Sequence, residues 1–259
     1  MHSDDRHFEL RLARSERDLK AAQRLRYEVF VEELGGDGPG VDHAARLESD
    51  RHDPYFDHLL LIDRRRDAEA LEDVVGVYRL LKGADAERAG GFYSAAEYDL
   101  TPLLASGRSL LELGRSCVHA DYRGGTAMYY LWNALAAYVQ EHGIEIMFGV
   151  ASFHGTDVDA LAQPLAFLYH NYLAPEDIRV RVHDHVRTEM NRIPADRVDR
   201  RTAMQETPAL IKAYLRLGGF VGDGAYVDHA FNTTDVCLLM DTARMSERHR
   251  SFYVRSRGS

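Results

Sequence analysis

Cysteine and tryptophan are scarce in this sequence, which has two cysteines and one tryptophan among 259 residues. Cys117 and Cys237 each lie inside an apolar run. This pattern excludes a disulfide framework and predicts two reduced thiols in the protein core. A catalytic thiol at Cys117 is the alternative, with His119 as the neighbour in sequence that would activate it.

Long apolar stretches and a basic excess are missing as well. No apolar run reaches the ~18 residues of a membrane-spanning helix, and the first residues, MHSDDRHFEL, lack the apolar segment of a signal peptide. The net charge of -9 argues against nucleic acid as a partner. We therefore expect a cytoplasmic protein. Arginines that would meet an acidic partner or an anionic membrane are Arg64 to Arg66, Arg179, Arg181, Arg187, Arg192, Arg197, Arg200 and Arg201.

The strongest local pattern lies between Leu110 and Gly143. An apolar run to Val118 is followed by a short polar turn, after which apolar residues recur at helical spacing. The pattern predicts a strand, a tight loop and a helix beginning near Thr126. Gly124 and Gly125 let the backbone approach a ligand, and the helix N-terminus suits a phosphate. A plain turn between two core elements is the alternative.

The rest of the chain predicts alternating strands and helices. Ser15 with Asp18 resembles a helix cap, whereas the run GGDGPG predicts a loop without helix or strand from Gly35 to about Pro54. Predicted strands are Phe8–Ala13, the segments from His58, Val74, Ile144 and Ile178, and Tyr226–Met240 with an interruption at Asn232; predicted helices run from Ser15 to about Leu34, from Asp157 to Leu173 and from Pro208. We expect an α/β fold with a central mixed, twisted sheet and helices on both faces. It forms a single domain over residues 8–245, between a flexible N-terminus, 1–7, and a C-terminal tail, 246–259.

Several charged residues lie where the pattern predicts burial. Arg79, Glu112 and Arg115 interrupt apolar strands, and charges are costly to bury unless they are paired. Arg26 on the first helix and the acidic residues of the glycine-preceded loop, Glu48, Asp50 and Asp53, are possible partners. The set predicts either a structural ion-pair network or a functional site.

Two families resemble this pattern in the first half of the chain. The order strand, anion loop, helix, strand, helix resembles the acyl-CoA-binding core of the GCN5-related N-acyltransferases (GNAT). The charged set resembles the acyl-homoserine-lactone synthases, which use the same core and take acyl chains from acyl carrier protein. The matching motifs are Leu25-Arg26 with Val29-Phe30, Glu48-x-Asp50-x-x-Asp53, Arg79-Leu80 and Glu112-x-x-Arg115.

The second half resembles the bacterial ornithine-lipid acyltransferases. The matching segments are GVASFHGTD from Gly149, LAPEDIRVR from Leu173 and PALIKAYLRLGGFVGDGAYVDHAFNTTDV from Pro208. The resemblance implies transfer of a 3-hydroxyacyl chain from acyl carrier protein to the α-amine of ornithine, which gives a lyso-ornithine lipid. It also implies no permanently bound cofactor, a phosphopantetheine thioester as donor, and peripheral contact with the inner membrane as an option. Alternatives are acylation of another amino acid such as glutamine, a homoserine-lactone-type signal synthase, a general acyl-CoA N-acyltransferase, or a non-catalytic module.

Such a reaction assigns chemical roles to the central strand. The α-amine must lose a proton before it attacks a thioester, and Glu112 is the expected base. Backbone N–H groups of Cys117 and Val118 would bind the thioester oxygen. Tyr169, by resemblance to relatives of the fold, would protonate the leaving thiolate; a core aromatic is the alternative.

Substrate binding is expected from a wider set of side chains. Arginine binds a carboxylate through two hydrogen bonds, so Arg26, Arg79 and Arg115 are candidates for the amino-acid carboxylate, with Arg115 also among the expected catalytic residues. The cation of the ornithine side chain would suit acidic residues. Further expected substrate-binding residues are Phe30, Glu48, Asp50, Asp53, Ser152, His154, Asp228 and His229; the donor phosphate is assigned to Arg123, Gly124, Gly125 and Thr126. No metal site is predicted, because His183 and His185 lack further ligands at zinc spacing.

Overall fold

The structure, a computed structural model, describes residues 7–244. The predicted flexible N-terminus, apart from His7, and the predicted tail 246–259 therefore lie outside the described residues. The chain divides into two compact units. The first contains the described residues up to Ala89 together with Leu113–Gly143, and the second contains Gly90–Glu112 and the described residues from Ile144 onward. The extent of the predicted single domain stays a prediction.

Strands and helices alternate along the chain. The strands are β1 (Phe8–Leu12), β2 (Val41–Asp42), β3 (Leu47–Glu48), β4 (Asp57–Asp63), β5 (Val74–Lys82), β6 (Tyr98–Asp99), β7 (Leu110–Val118), β8 (Ile146–His154), β9 (Arg181–Val182), β10 (Phe220–Val221), β11 (Tyr226–Asp228) and β12 (Thr233–Asp241). The helices are α1 (Glu16–Arg26), α2 (Gly83–Arg88), α3 (Thr101–Ala105), α4 (Ala127–Glu141), α5 (Ala162–Tyr172), α6 (Arg200–Glu206) and α7 (Ala209–Arg216). The predicted central strand, loop and helix are thus confirmed as β7 and α4.

Eight strands form one sheet, which is mixed as predicted. The strand order is β1-β4-β5-β7-β8-β12-β10, and β11 lies beside β12. The β7–β8 pair is parallel, whereas β1–β4, β4–β5 and β8–β12 are antiparallel. The chain passes from one unit to the other within β7. The α/β class and the mixed sheet of the sequence-based prediction are confirmed.

In the first unit, helices cover both faces of the sheet. Ser15 caps the N-terminus of α1: its side chain accepts a hydrogen bond from the Asp18 N–H at 3.1 Å, so the predicted cap is confirmed. α1 packs on one face, where its Leu25 belongs to the same buried cluster as Val77 of β5. α4 packs on the other face, because a Cβ on Gly76 would lie 2.9 Å from the Leu131 side chain.

The prediction of a loop without strands between Gly35 and Pro54 is wrong. α1 continues as a π-helix over Tyr27–Glu33, and after it β2 and β3 form a short antiparallel pair. The hairpin closes because Gly40 lies against Ser49: a Cβ on Gly40 would be 1.7 Å from the Ser49 carbonyl oxygen. The Ser49 N–H donates to the Gly40 carbonyl at 2.9 Å. The glycine here permits a close backbone approach and does not merely interrupt structure.

In the second unit, β8 and β12 pair over nine residues each, and β10 and β11 pair with the other edge of β12. The strand predicted from Ile178 is wrong over most of its length, since only β9 forms. Ile178, Val180 and Val182 are buried alternately as the pattern implied. The chain nevertheless bends into a 3₁₀ turn at Asp184–Val186, which shows that alternation reported burial and not strand pairing.

Candidate active site

Four charged side chains form a buried ion-pair network in the first unit. Arg26 ends α1, and Arg79 lies on the face of β5 that α1 covers. The Arg26 Nε donates to Glu48 at 2.5 Å, and its Nη1 donates to Asp53 at 2.7 Å. Arg79 Nη1 donates to the same Asp53 oxygen at 2.8 Å. None of the four residues is more than 3% exposed, so each charge needs its partners.

Asp50 and Arg115 extend this network toward solvent. Their side chains are 17% and 14% exposed. Arg79 Nη1 donates to Asp50 at 2.6 Å, whereas Arg115 contacts Glu48 at 3.2 Å and Asp50 at 3.5 Å. Three arginines thus face three carboxylates, and the predicted ion pairs are present. We call these six residues the charge network.

The charge network keeps its carboxylates ionised. Burial alone would raise the pKa of Glu48, but Arg26 and Arg115 outweigh it and hold that pKa below its ordinary value. Burial opposes ionisation of Asp50 and Asp53 in the same way, yet the neighbouring arginines lower both pKa values. Because its charges balance, a substrate carboxylate that binds Arg115 must compete with Glu48 and Asp50.

The charge network has neighbours that the sequence analysis did not include. Gln23 Nε2 donates to Asp53 at 2.9 Å, and the Arg79 guanidinium lies 4.2 Å from the centre of the Phe56 ring. His58 donates to the Asp53 carbonyl at 3.0 Å. The position of Gln23, one helical turn before Arg26, was a signal that could have identified it.

Phe30, expected to bind substrate, lies on the π-helix of the first unit. It is partly buried and packs on the apolar cluster that contains Leu25 and Val29. Its side chain therefore has a core role, and its expected contact with substrate stays a prediction.

Glu112 lies in the second unit, where both of its carboxylate oxygens accept hydrogen bonds. The Tyr93 N–H and the Ser94 N–H each donate at 2.7 Å, and the Ser94 hydroxyl donates at 2.5 Å. Glu112 is 1% exposed. The side chain therefore anchors the turn at Tyr93–Ala96, and a role as base requires that it release one of these bonds.

Arg123 of the predicted anion loop is paired with an acidic side chain. Its guanidinium forms two hydrogen bonds to Glu33, one of them 2.6 Å long, and its Nε donates to the Val118 carbonyl at 2.9 Å. Gly124 adopts a left-handed φ of 75°, and no atom lies within 4 Å of the Cβ that a larger residue would add. Gly125 and Thr126 are exposed, so the loop is open to a ligand.

The Cys117 thiol does not fit a nucleophile. It is buried in the first unit, and burial raises its pKa to about 12. Cys237 is also buried, and burial raises its pKa as well. The prediction of two free thiols in the core is confirmed. The N–H groups of Cys117 and Val118 keep their expected oxyanion role as a prediction.

A polar strand face brings together several predicted residues of the second unit. His154 of β8 is paired with Thr233 of β12, which is paired in turn with Asp228 of β11. Directly opposite residues of antiparallel strands share a face, so these side chains lie on one side. Ser152, two residues from His154, lies on the same side. We call Ser152, His154, Asp228 and Thr233 the polar strand face.

The residues of the polar strand face differ in their exposure and in their hydrogen bonds. Ser152 and His154 are exposed. One Asp228 oxygen accepts the N–H groups of Ala230 at 2.8 Å and Phe231 at 3.1 Å, which closes the β11–β12 turn. His229 lies exposed in that turn. Tyr169 is partly buried on α5, with its ring 5.4 Å from that of His170.

Comparisons with known proteins decide the family. An acetyltransferase (GNAT) domain model matches residues 25–133. The L-ornithine N(alpha)-acyltransferase of Rhodobacter capsulatus is 62% identical over 248 residues, covering 96% of this chain and 95% of that protein. The protein of the same name from Brucella abortus is 42% identical, covering 95% of this chain and 88% of that protein.

The chain belongs to the L-ornithine N(alpha)-acyltransferase family.

Solved structures support the fold of this acyltransferase family member. FeeM, an N-acyl amino acid synthase from uncultured soil microbes, superposes with a TM-score of 0.52 at 13% identity, covering 97% of this chain and 98% of that one. BjaI, a CoA-dependent acyl-homoserine lactone synthase solved with MTA, gives a TM-score of 0.51 at 17% identity, covering 93% and 82%. At such identities the likeness shows the N-acyltransferase fold alone.

Two further features of the acyltransferase concern metal binding and the membrane. Among residues 7–244, no three or more His, Cys, Asp or Glu side chains are grouped so as to hold a metal ion. No helix in that same range has the length and apolar character needed to cross a bilayer.

Proposed function

We propose that this protein transfers an acyl chain to the α-amine of L-ornithine. The observation that carries the proposal is 62% identity, over nearly the whole of both chains, to a protein named L-ornithine N(alpha)-acyltransferase. A new amide C–N bond forms and a thioester C–S bond breaks. The proton lost by the amine passes to a base, and the released thiolate takes up a proton.

The proposed donor is a 3-hydroxyacyl thioester of acyl carrier protein, which would give a lyso-ornithine lipid. The phosphopantetheine arm of the carrier has a single phosphodiester, and the loop Arg123–Thr126 is the proposed site for it. Glu33 already neutralises Arg123, which suits a singly charged phosphodiester better than the more highly charged CoA. No resident cofactor is needed.

Acyl carrier protein also needs a docking surface on the enzyme. Most of the arginines singled out in the sequence are paired: Arg64 with Glu9, Arg65 with Asp63, and Arg179 and Arg181 with Glu176. Arg197, Arg200 and Arg201 are exposed, and no ion pair of theirs occurs within the described residues. We therefore propose this arginine group, at the start of α6, as the carrier-docking surface.

The proposed catalytic roles follow the central strand. Glu112 accepts the proton of the amine after releasing a bond to the Tyr93–Ala96 turn, the N–H groups of Cys117 and Val118 bind the developing oxyanion, and Tyr169 protonates the thiolate. Arg115, the more accessible arginine of the charge network, is the proposed partner of the amino-acid carboxylate. Asp228 is the proposed partner of the side-chain cation, since no ion pair engages it in the described part of the chain.

A purified-enzyme assay tests the proposal. The protein is offered ornithine with a 3-hydroxyacyl carrier protein or with the matching acyl-CoA, and both thiol release and product mass are measured. We expect N-acylornithine, faster with the carrier, and less of it as salt screens the exposed charges over about 10 Å at 0.1 M. Equal rates with both donors, independent of salt, would reassign the protein to acyl-CoA transfer. A preference for glutamine over ornithine would identify glutamine as the acyl acceptor.

Docking is tested by charge reversal. Arg200→Glu with Arg201→Glu should raise KM for the acyl carrier and leave the rate with acyl-CoA unchanged, because only the carrier has a protein surface. Arg64→Glu with Arg65→Glu, which changes charge equally at paired residues, is the control.

A cytoplasmic location with peripheral contact to the inner membrane stays a prediction.

A further inference from the structure

Arg115 has an unusual backbone conformation in the middle of β7. Its φ is 48°, and the other non-glycine residues with positive φ in the described chain, Arg46, Leu71 and Asn232, lie in connections between strands. Side chains disfavour this left-handed region. The preceding Gly114 would adopt it at less cost but is not among the glycines with positive φ. The strand thus places an arginine where a bend alone would favour glycine.

The Arg115 side chain is held by two carboxylates that are themselves fixed. Its Nε donates to Glu48 at 3.2 Å, and its Nη2 lies 3.5 Å from Asp50. Glu48 is bound to Arg26 at 2.5 Å, and Asp50 is bound to Arg79 at 2.6 Å. A strained backbone persists only where its surroundings over-determine it, and these contacts supply that constraint.

We infer that Glu48 and Asp50 are positioning residues, which hold Arg115 left-handed and thereby set the course of Ser116–Val118. This inference rests on the proposed function, in which Cys117 and Val118 supply the oxyanion-binding N–H groups. It differs from a role in holding ornithine, because the two carboxylates act through the strand and need not touch the amino acid. Misplacement of such donors by about 1 Å costs on the order of 10²-fold in rate.

Kinetics of Asp50→Asn separate the two roles. This substitution keeps the shape of the side chain and weakens its pairing with Arg115. We expect kcat to fall by about tenfold or more without a rise in KM for ornithine, because Arg115 itself is still present to bind the carboxylate. A rise in KM with unchanged kcat would overturn the inference and return Asp50 to substrate binding.

Two substitutions of Arg115 separate the effect of its backbone conformation from the effect of its side chain. Both remove the side chain, but Arg115→Gly tolerates positive φ whereas Arg115→Ala does not. We expect the glycine variant to keep a kcat at least about tenfold above that of the alanine variant. Arg46 is a matched control: its φ is 54° and it is paired with Glu32 at 2.7 Å, but it lies between β2 and β3. Arg46→Gly and Arg46→Ala should have equal kcat values.

A double variant tests the coupling between carboxylate and backbone. If Asp50 acts through the Arg115 backbone, adding Asp50→Asn to Arg115→Gly should lower kcat by less than about twofold. A loss as large as in the wild-type background would contradict the inference. Thermal unfolding checks that each variant is folded. If Arg115→Ala does not fold, the effect of Asp50→Asn on kcat in the wild type and in Arg115→Gly decides alone.

Hydrogen exchange keeps the inference separate from the proposed function. Amide exchange at Ser116–Val118 should be faster in Asp50→Asn than in the wild type, and faster in Arg115→Ala than in Arg115→Gly, whatever the substrate is. If the wild type fails to acylate ornithine but the variants show these exchange differences, the proposed function is wrong and the positioning role holds. Unchanged exchange in an active enzyme would overturn the positioning alone.

Discussion

The charge network and the polar strand face use polar side chains in opposite ways. In the first unit, three arginines and three carboxylates are paired with one another, and four of the six are nearly inaccessible. In the second unit, Ser152 and His154 lie exposed on β8, on the same face of the sheet as Asp228, whose carboxylate is bound to backbone N–H groups. Residue types that look equally functional in a sequence therefore have different tasks in the fold.

Substitutions in the two regions should therefore differ in the property that they change. Removing one partner from a balanced, buried network leaves an uncompensated charge, so the effect appears in stability and in the geometry of the strand. Removing an exposed polar group leaves nothing unpaired, so its effect should appear in substrate kinetics alone.

The largest effect is expected at Asp53, which binds Arg26, Arg79 and Gln23. Asp53→Asn should lower the free energy of unfolding by about 3–5 kcal/mol, because it leaves buried guanidinium charge unpaired. Urea unfolding measures this change. Ser152→Ala, on the polar strand face, should change it by less than about 0.5 kcal/mol. Similar losses in both variants would erase the distinction between the two regions.

Glu112 is the next test, because anchoring and base catalysis predict different pH behaviour. Glu112→Gln replaces one of the two acceptor oxygens by an NH2 donor that faces the Tyr93–Ala96 turn, so the free energy of unfolding should fall by about 1–3 kcal/mol. Loss of a base should cost about 10²–10⁴-fold in kcat, and high pH, where the amine is already deprotonated, should restore part of it. Ser94→Ala weakens the anchor and keeps the carboxylate.

If Glu112 acts as the base, Ser94→Ala should stay far more active than Glu112→Gln near neutral pH. Equal losses in the two variants, unchanged between neutral and high pH, would leave Glu112 with the anchoring role alone.

Acid should destabilise the first unit in two steps. Burial lowers the pKa of His58 and of His52, and the charge network lowers the pKa of Glu48, Asp50 and Asp53. Each group takes up protons more readily in the unfolded chain, so stability is full at neutral pH. It should decline below about pH 6.5 through the histidines and again below about pH 4 through the carboxylates.

His58→Gln should shrink the upper step of this decline in urea unfolding across pH, and the same change at His43, whose side chain is 59% exposed, should leave it intact. A flat profile between pH 7 and pH 5 would contradict the role of the buried imidazoles.

The smallest effect is expected at the anion loop. Glu33→Gln frees Arg123, and because an exposed pair contributes about 1 kcal/mol or less, the rate with acyl-CoA should rise only a few-fold. Glu32→Gln is a matched control, since the neighbouring Glu32 is similarly exposed and pairs with Arg46 instead. An equal change in both variants would indicate an effect of total charge and not of the loop.

Much of the fold could be predicted because local signals agree with it. The apolar run that predicted β7 and the helical spacing that predicted α4 report burial directly, and Ser15 capped α1 as its position implied. The β2–β3 hairpin was missed because it depends on the contact of Gly40 with Ser49. Close packing of this kind leaves no trace in composition.

The candidate site was predicted as residues but not as interactions. The charged set was found because charges in apolar strands are unusual. Its pairing scheme was not, since Asp53 and Arg79 are 26 residues apart and Glu33 and Arg123 are 90 apart. The left-handed conformation of Arg115 could not be foreseen either, because nothing local to an arginine encodes it and it depends on the carboxylates that hold the side chain.

Mass spectrometry of lipids decides whether this protein acylates ornithine in a cell. The lipids are extracted from a bacterial host that expresses this chain and makes no ornithine lipid of its own. The spectrum identifies the amino acid and the acyl chain together. We expect a new lyso-lipid composed of ornithine and one 3-hydroxyacyl chain in amide linkage, absent from a host that expresses Glu112→Gln. A new acyl-glutamine, an acyl-homoserine lactone, or an unchanged lipid profile with folded protein present would contradict the claim.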